Sequence, residues 1–575
     1  RLVLPTVIEP LREEWRDAQA AALTLASEGD NKAAIAELLT YHRRLCAVRV
    51  LDPACGSGNF LYVTLEHLKR LEGEVLNALD ELGHRQTGLA LGGERADAAA
   101  GETVDPHNLL GIEINPRAAA IAEVVLWIGY LQWHVRTRGD VSPPTPVIRD
   151  FRNIENRDAV LAYDCVEYVT DERGVPVTRW DGKTMKPSPV TGEPIPDDSA
   201  RMPIERYVNP RKAEWPEADF VVGNPPFIGN KRMRTLLGDG YVEALREAWE
   251  DVPEAVDFVM YWWHVAALEA RKKRLERFGF ITTNSITMVF NRGLISDHLA
   301  NPKSPLRLAF AVPDHPWVDA GDGASVRIAM TVGLSEDSSR TILARQLTIA
   351  AESEGSDGVS KIAFVERNGV IHSDLSVGAN VTGACKLRAN LGLSFMGVIL
   401  VGGGFVVDAD DELLAAEPGA LKRYANGRDL MQLPRNVWVI DLFGLDEKQA
   451  MTSFPKSFQR VFDRVRPERL QVKREAHRRG WWLFGEKRPQ MREALRGLHR
   501  YIGTAETAKF RTFMFLDSQL LPDQKVRVVA SDDALHLAVL SSTVHCSWAA
   551  ATGARMGAGN DRVYIPTSCF EPFPF

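Results

Sequence analysis

The tetrapeptide Asn224-Pro225-Pro226-Phe227 stands at the end of the apolar run "ADFVVG". An Asn amide held by two prolines and followed by an aromatic ring offers stiffly placed hydrogen-bond acceptors beside a flat stacking surface. Such a set suits a planar substrate that carries an amine. Asn-Pro also marks ordinary turns, so the rest of the chain must choose between clamp and punctuation.

Two upstream stretches bear on that choice. In "VLDPACGSGNF", Gly56 and Gly58 follow a short strand pattern and precede the amphipathic "LYVTLEHLKRLEGEVLNAL". Glycines there let a backbone approach a ligand closely, and a helix N-terminus offers unpaired N–H groups. Glu113 ends the next predicted strand in "GIEIN". An acid at that position accepts both ribose hydroxyls of a bound nucleoside. The third residue after Gly58 is Leu61, so the dinucleotide pattern G-x-G-x-x-G is not met, and no G-x-x-x-x-G-K-[ST] occurs. A nucleoside without phosphates fits better, with Asp52 supplying negative charge for a ligand ammonium. A turn or a surface glutamate explains either feature alone. Together, "DPACGSGNF", "GIEIN" and "VVGNPPF" each close a predicted strand, the edge at which open α/β sheets bind ligands.

Here the chain resembles the class I S-adenosylmethionine-dependent DNA methyltransferases that act on exocyclic amines. The stretches "GIEINPRAAAIAEVVLWIGYLQW", "NGRDL" and "GNDRVYIPTSCFEPFPF" and the two-domain layout are similar to the MmeI-like (type IIL) restriction–modification enzymes and related phage-defence methyltransferases. The resemblance covers most of the chain. It implies that Asn224 and the Pro225 carbonyl accept the two N–H groups of an adenine N6 amine, that Pro226 stiffens the turn, and that Phe227 stacks on a base flipped out of the duplex. It implies S-adenosylmethionine as cofactor, held by Asp52, Pro53, Ala54, Gly56, Gly58, Asn59 and Phe60. Glu113 would take the ribose, Ile114 the adenine face, and Asp158 in "NRDAV" the adenine amine. Asp257 and Phe258 match the segment flanking the pocket. His264, Trp262 and Trp263 read as ordinary helix residues, and no metal-ligand cluster is expected.

The implied activity is methylation of adenine N6 at a specific duplex sequence, as the modification part of a restriction–modification or phage-defence system. Cytosine-N4 methylation uses the same clamp, although its motif more often opens with Ser. Methylation of a protein glutamine amide fits shorter enzymes without a large basic second domain. A DNA-binding defence component that needs a partner or further N-terminal sequence is the third alternative. Family members of this motif order carry a Tyr-x-Pro-like cofactor element just before the segment that opens this chain, and "RLVLPTVIEPL" resembles the stretch immediately after that element. The D…E-x-K nuclease cluster that MmeI-like enzymes carry upstream is not found, so this chain is expected to modify rather than cut.

The elements that must position these residues follow from periodicity. Residues 1–45 read as helix. Strands alternating with helices over 46–340 predict a doubly wound, mostly parallel, Rossmann-like methyltransferase sheet. It is interrupted by an insertion at about 162–215 whose turn signals suggest a β-hairpin arm. Residues 341–384 read as a connecting segment and 385–575 as an α+β target recognition domain, with strands expected in "SFMGVILVGGGFVVD", "NVWVIDLFG", "VRVVASDD" and "LHLAVLSS".

Composition bounds the rest. The 575 residues are 45% hydrophobic and 25% charged, the balance of an ordinary globular chain with room for several domains. Six scattered cysteines without a C-x-x-C pair argue against a structural zinc or a disulfide framework. They fit a reducing cytoplasm, which the resemblance implies is bacterial, and no apolar run reaches membrane-spanning length. The net charge is −7, yet residues 454–500 hold fourteen Lys or Arg against five Asp or Glu. That asymmetry predicts a polyanion-facing surface, and the interleaved Phe458, Phe462, Trp481, Trp482 and Phe484 strengthen it. Double-stranded DNA is the expected partner, with Arg428, Arg435, Lys473, Arg474, Arg478, Arg479 and Lys487 as candidate contacts. Other restriction or defence subunits are expected as further partners, and a membrane is not.

Overall fold

Runs of β-branched and aromatic residues form nine strands of one sheet. They are β1 (Val50–Asp52), β2 (Leu109–Glu113), β3 (Ile154–Asn156), β4 (Phe220–Gly223), β5 (Arg277–Thr283), β6 (Leu306–Pro316), β7 (Arg327–Ser335), β8 (Arg345–Glu354) and β9 (Ser360–Asn368). The computed structural model describes residues 1–84, 103–138, 153–187, 192, 194–317, 327–336, 344–354, 360–472, 474–556 and 561–575. The strand order is β9-β8-β6-β7-β5-β4-β1-β2-β3. Every pair from β5 to β3 is parallel. β7 runs antiparallel to both β5 and β6, β8 is parallel to β6, and β9 antiparallel to β8. The sheet is thus mostly parallel and doubly wound, as expected.

Side chains alternate along each strand and so feed two cores. Val50, Phe220 and Val222 join one apolar cluster with Leu61, Leu65 and Leu126. Leu51, Val221, Phe278 and Phe280 join the other with Trp263, Ala266 and Ile295. The first face is covered by α1 (Glu9–Ser27), α2 (Asn31–Ala47), α3 (Asn59–Glu81) and α4 (Pro116–Arg138). The second lies under α5 (Asn230–Leu237), α6 (Asp239–Ala248), α7 (Val259–Arg271) and α8 (Val289–Leu299). The expected N-terminal helices therefore pack on the sheet, and the residues before them do so too. A Cβ on Gly279 would lie 2.1 Å from the Thr6 hydroxyl, so glycine in β5 makes room for the opening segment.

Three expectations meet a different or sharper outcome. The segment 341–384, read as a connector, supplies β8 and β9 of the large sheet. Its periodicity alone could not reveal a parallel pairing to β6 that rests on two register positions, Phe310↔Arg345 and Ala311↔Gln346. "LHLAVLSS" is a helix, Ala534–Ser541, capped by the Asp533 side chain accepting from the Leu535 N–H. A short apolar run has no period to separate helix from strand. The insertion is a β-hairpin arm, with Thr178–Trp180 antiparallel to Arg201–Pro203 and Met185–Pro187 antiparallel to Pro194–Pro196.

The chain divides into two compact units, residues 1–167 with 205–378, and residues 168–204 with 379–575. The second holds a four-stranded antiparallel sheet (Ser394–Met396, Val526–Val529, Arg500–Ala505, Met514–Asp517), a four-stranded mixed sheet and a three-stranded one. Phe405, Trp481, Phe484 and Tyr501 are buried in its main core.

Candidate active site at the carboxyl edge of the sheet

β1 lies between β2 and β4, so three motifs distant in sequence finish side by side. After Asp52 the chain turns sharply. The Cys55 N–H donates to the Ile112 carbonyl at 3.1 Å and the Gly58 N–H to the Cys55 carbonyl at 2.8 Å. Gly56 (φ +53°) and Gly58 (φ +84°) adopt the left-handed conformation that favours glycine. A Cβ on Gly58 would also stand 3.2 Å from Ala122 of α4. Asn59 then opens α3 exposed, with Phe60 half-buried.

The Glu113 carboxylate reaches across to this turn. Its Oε2 accepts the Gly56 N–H at 2.9 Å and its Oε1 accepts the Asn115 N–H at 2.8 Å. Ile114 beside it is 66% exposed. Asp52 is 1% exposed. Its Oδ1 accepts the Ala54 N–H at 3.1 Å, while Oδ2 is buried without a hydrogen-bond partner. Burial pushes the carboxyl up to about 7, with the Ala54 N–H opposing and the Glu113 charge adding. Pro53 is buried, and its carbonyl accepts the Trp262 indole N–H at 2.9 Å.

Gly223, just before Asn224, has a role the sequence did not reveal. A Cβ there would stand 2.7 Å from the Asp52 Oδ1, so the residue type at the end of β4 is set by the acid at the end of β1. Next, Asn224 presents a buried Oδ1 that has no hydrogen-bond partner. Pro225 is buried, Pro226 exposed and Phe227 half-buried. The Phe227 ring meets Trp317 edge-to-face, centroids 6.3 Å apart at 83°. Trp317 follows β6 in no recognisable motif, and only folding brings it to Phe227.

A hydrogen-bonded hub holds the turn after Phe227. Asp257 Oδ1 accepts the Asn230 N–H at 2.9 Å, and Oδ2 accepts from Ser285 at 2.6 Å and Asn291 at 2.8 Å. The Phe258 N–H donates to the Ile228 carbonyl at 2.9 Å, and its ring is buried. Asp158 lies two residues beyond β3, and its carboxylate is already engaged: Oδ1 accepts the N–H groups of Val160 and Leu161, and Oδ2 the Tyr241 hydroxyl at 2.7 Å. That acid anchors its own turn and Tyr241, a task the sequence did not foretell. His264, Trp262 and Trp263 are buried helix residues.

Among the described residues, His42, Cys46 and Glu72 bring ligand-type atoms within 4.8 Å of one another. Glu72 is already paired there, accepting from Lys69 at 2.6 Å, Thr103 at 2.7 Å and the Val104 N–H at 3.1 Å. Glu72 is thus held in a hydrogen-bonded network.

In the second unit the candidate DNA contacts separate into kinds. Arg428, Arg474, Arg478 and Arg479 are exposed, and Lys487 is half-buried. Arg474 pairs with Glu486 and Arg479 with Glu475, both on the surface. Lys473 lies outside the described residues. Arg435 is exposed too, and its guanidinium grips Asp429 with Nε at 2.9 Å and Nη2 at 2.7 Å. Burial alone would raise the Asp429 carboxyl, but Arg435 and two backbone N–H groups hold it down to about 2. Arg435 thus braces Asp429 while 43% of its own side chain stays exposed. The aromatics of 454–500 divide: Phe462 is 39% exposed and Trp482 half-buried. Phe458, Trp481 and Phe484 are buried core residues, and Arg469, 1% exposed, donates to the Leu400 and Leu483 carbonyls.

Both units of the chain have counterparts among known proteins. Residues 25–345 match the family model "MmeI, DNA-methyltransferase domain" and residues 398–575 match "MmeI, target recognition domain". DNA methyltransferase A of Bacillus subtilis (strain 168) is 22% identical over 336 residues, which are 58% of this chain and 30% of that protein. The chain thus spans about a third of the length of that curated relative. The solved structure of the type IIL restriction–modification enzyme MmeI in complex with DNA superposes with a TM-score of 0.67 at 20% identity, over 100% of this chain and 67% of that one. That likeness is one of fold. Among the described residues, no helix is long and apolar enough to cross a membrane.

Proposed function

The chain belongs to the MmeI family of DNA methyltransferases with a target recognition domain, and from that premise we propose that it methylates the N6 amine of adenine in a specific duplex sequence. Its place is the modification part of a restriction–modification or phage-defence system, with double-stranded DNA as partner.

S-Adenosylmethionine, the methyl donor of this reading, supplies an electrophilic methyl group when bound. The residues present fit it: the orphaned Oδ2 of Asp52 suits a ligand ammonium, and Glu113 suits the two ribose hydroxyls. Gly56 and Gly58 leave the backbone bare for close approach. No phosphate-binding loop is needed.

The observation that carries the proposal is the buried, unpartnered Asn224 Oδ1. A buried acceptor left unmet costs about 1–3 kcal/mol, and the N–H of an inserted amine relieves it. The adenine amine is a poor nucleophile because its lone pair is delocalised into the ring. Two acceptors, Asn224 Oδ1 and the Pro225 carbonyl, draw on its two N–H groups and bring the lone pair out of the ring plane. Phe227, braced by Trp317, offers the stacking face for a base that has left the duplex. Positioning of the amine then supplies most of the rate, and none of these residues acts as a general base.

The test is incubation with genomic duplex DNA and methyl-labelled S-adenosylmethionine, followed by digestion to nucleosides. Label in N6-methyladenosine is expected, and mapping it gives the recognition sequence. Label in N4-methylcytosine overturns the choice of base, and no label in DNA overturns the proposal.

A further inference from the structure

A base that leaves the duplex abandons a gap, and an apolar side chain that fills it offsets the lost stacking. We propose that Phe290 is that wedge, entering the stack as the target base leaves; this rests on the base-flipping reading above. Phe290 is 61% exposed in the first turn of α8, next to Val289 at 38%. It is the one phenylalanine of its unit left largely exposed among the described residues. A single exposed apolar side chain is ordinary on a protein surface, so its placement must carry the argument.

The placement is specific. α8 follows β5 through one short turn, Asn284–Thr287. β5 is the parallel neighbour of β4, with Phe280 in register with Gly223, the residue before Asn224. Phe290 thus projects from the same sheet edge as the clamp. Its chain neighbour Asn291 is 4% exposed and grips Asp257 twice: Nδ2 donates to Oδ2 at 2.8 Å, and Oδ1 accepts the Asp257 N–H at 2.9 Å. Asp257 in turn holds the Asn230 N–H, three residues past Phe227. The wedge and the clamp are therefore tied through one hydrogen-bonded hub, which fixes their spacing. On the turn of α5 that this hub anchors, Lys231 and Arg232 are exposed, and positive charge beside an apolar tip suits the phosphates that flank a gap in the stack. An apolar protein partner would not call for those two cations at that spot.

The experiment uses the full chain and the recognition sequence mapped from its own methylation. Phe290→Ala and Phe290→Leu are compared with the wild type on a matched duplex and on one whose target adenine faces an abasic site, where little pairing has to be broken. On the matched duplex, Phe290→Ala is expected to lose about tenfold to a hundredfold in kcat/KM. On the abasic-opposed duplex the loss should shrink to about twofold or less. Phe290→Leu keeps an apolar wedge and is expected to fall between Ala and wild type on the matched duplex. Cofactor affinity, read by calorimetry, should not move. Equal losses on both duplexes, or no loss on the matched one, overturn the wedge. A wild type that places no methyl group on adenine overturns the function itself, a result separable from either.

Discussion

The Gly56 N–H donates to Oε2 of Glu113 across 2.9 Å, joining two features that lie 57 residues apart. The Gly-rich turn and the acid at the end of β2 are one unit, and the Asn115 N–H on Oε1 completes it. Both carboxylate oxygens are aimed by backbone donors, and each keeps a lone pair for a ligand hydroxyl.

Glu113→Gln should therefore be damaging despite its equal size. One end of the amide would present N–H to a backbone N–H, which wastes a hydrogen bond worth about 1.5–3 kcal/mol when made to a charged acceptor. Cofactor affinity measured by calorimetry should fall by at least about tenfold. An unchanged affinity would remove Glu113 from the cofactor site.

Asn224→Ala should cost about 10^2–10^3-fold in kcat, the scale seen when one preorganised polar group is removed from a reacting centre. It also removes a buried acceptor that has no partner in the free protein. Thermal stability should consequently stay level or rise. Activity loss with a lower melting temperature would mean the side chain is structural.

Asp52 gives cofactor affinity a pH dependence of known sign. Its carboxyl is raised from 3.8 to about 7 by burial, so below neutrality the free protein holds it protonated and uncharged. A cationic ligand group favours the ionised form, so affinity should rise as pH increases through about 7 and then level off. For the fold without ligand the sign is opposite. The unfolded chain releases this proton at a lower pH, so the group's contribution to stability is lost as pH rises from about 4 to about 7. Asp52→Asn should flatten both profiles, measured by calorimetry and thermal melting across pH 5–9.

The second unit offers a paired comparison. Arg479, with 82% of its side chain exposed, sits in the basic stretch of 454–500; if it neutralises a phosphate, Arg479→Gln should lower the salt slope of DNA affinity by about one and leave stability alone. Arg435→Gln should do the reverse. It leaves the nearly buried Asp429 carboxylate without its bidentate partner, at a cost of about 1–2 kcal/mol, with the salt slope unchanged. Binding titrations at several salt concentrations, set beside denaturant melts, decide both.

The site is legible in the sequence where its chemistry is local. Gly56, Gly58 and Asn224 are confined to short stretches whose residue types already state the backbone shape and the acceptor they provide. It is illegible where a side chain's task depends on a neighbour the sequence does not place. Arg435 has the same charge as Arg479, but only the folded chain shows that Asp429 occupies it. Phe458 and Trp481 looked like stacking residues among cations until packing buried them.

The sequence by itself determined the alternation that makes a parallel sheet and the three motifs at strand ends, because period and turn chemistry are written in contiguous residues. Only the tertiary structure decided what those ends share. Strand order set β1 between β2 and β4, and with it the Gly56–Glu113 bond and the glycine that Asp52 demands at 223. The Asp257–Asn291 hub and the Phe227–Trp317 contact join residues 34 and 90 positions apart. No local propensity encodes such pairs; they exist because burying both faces of one sheet leaves the chain few other ways to close.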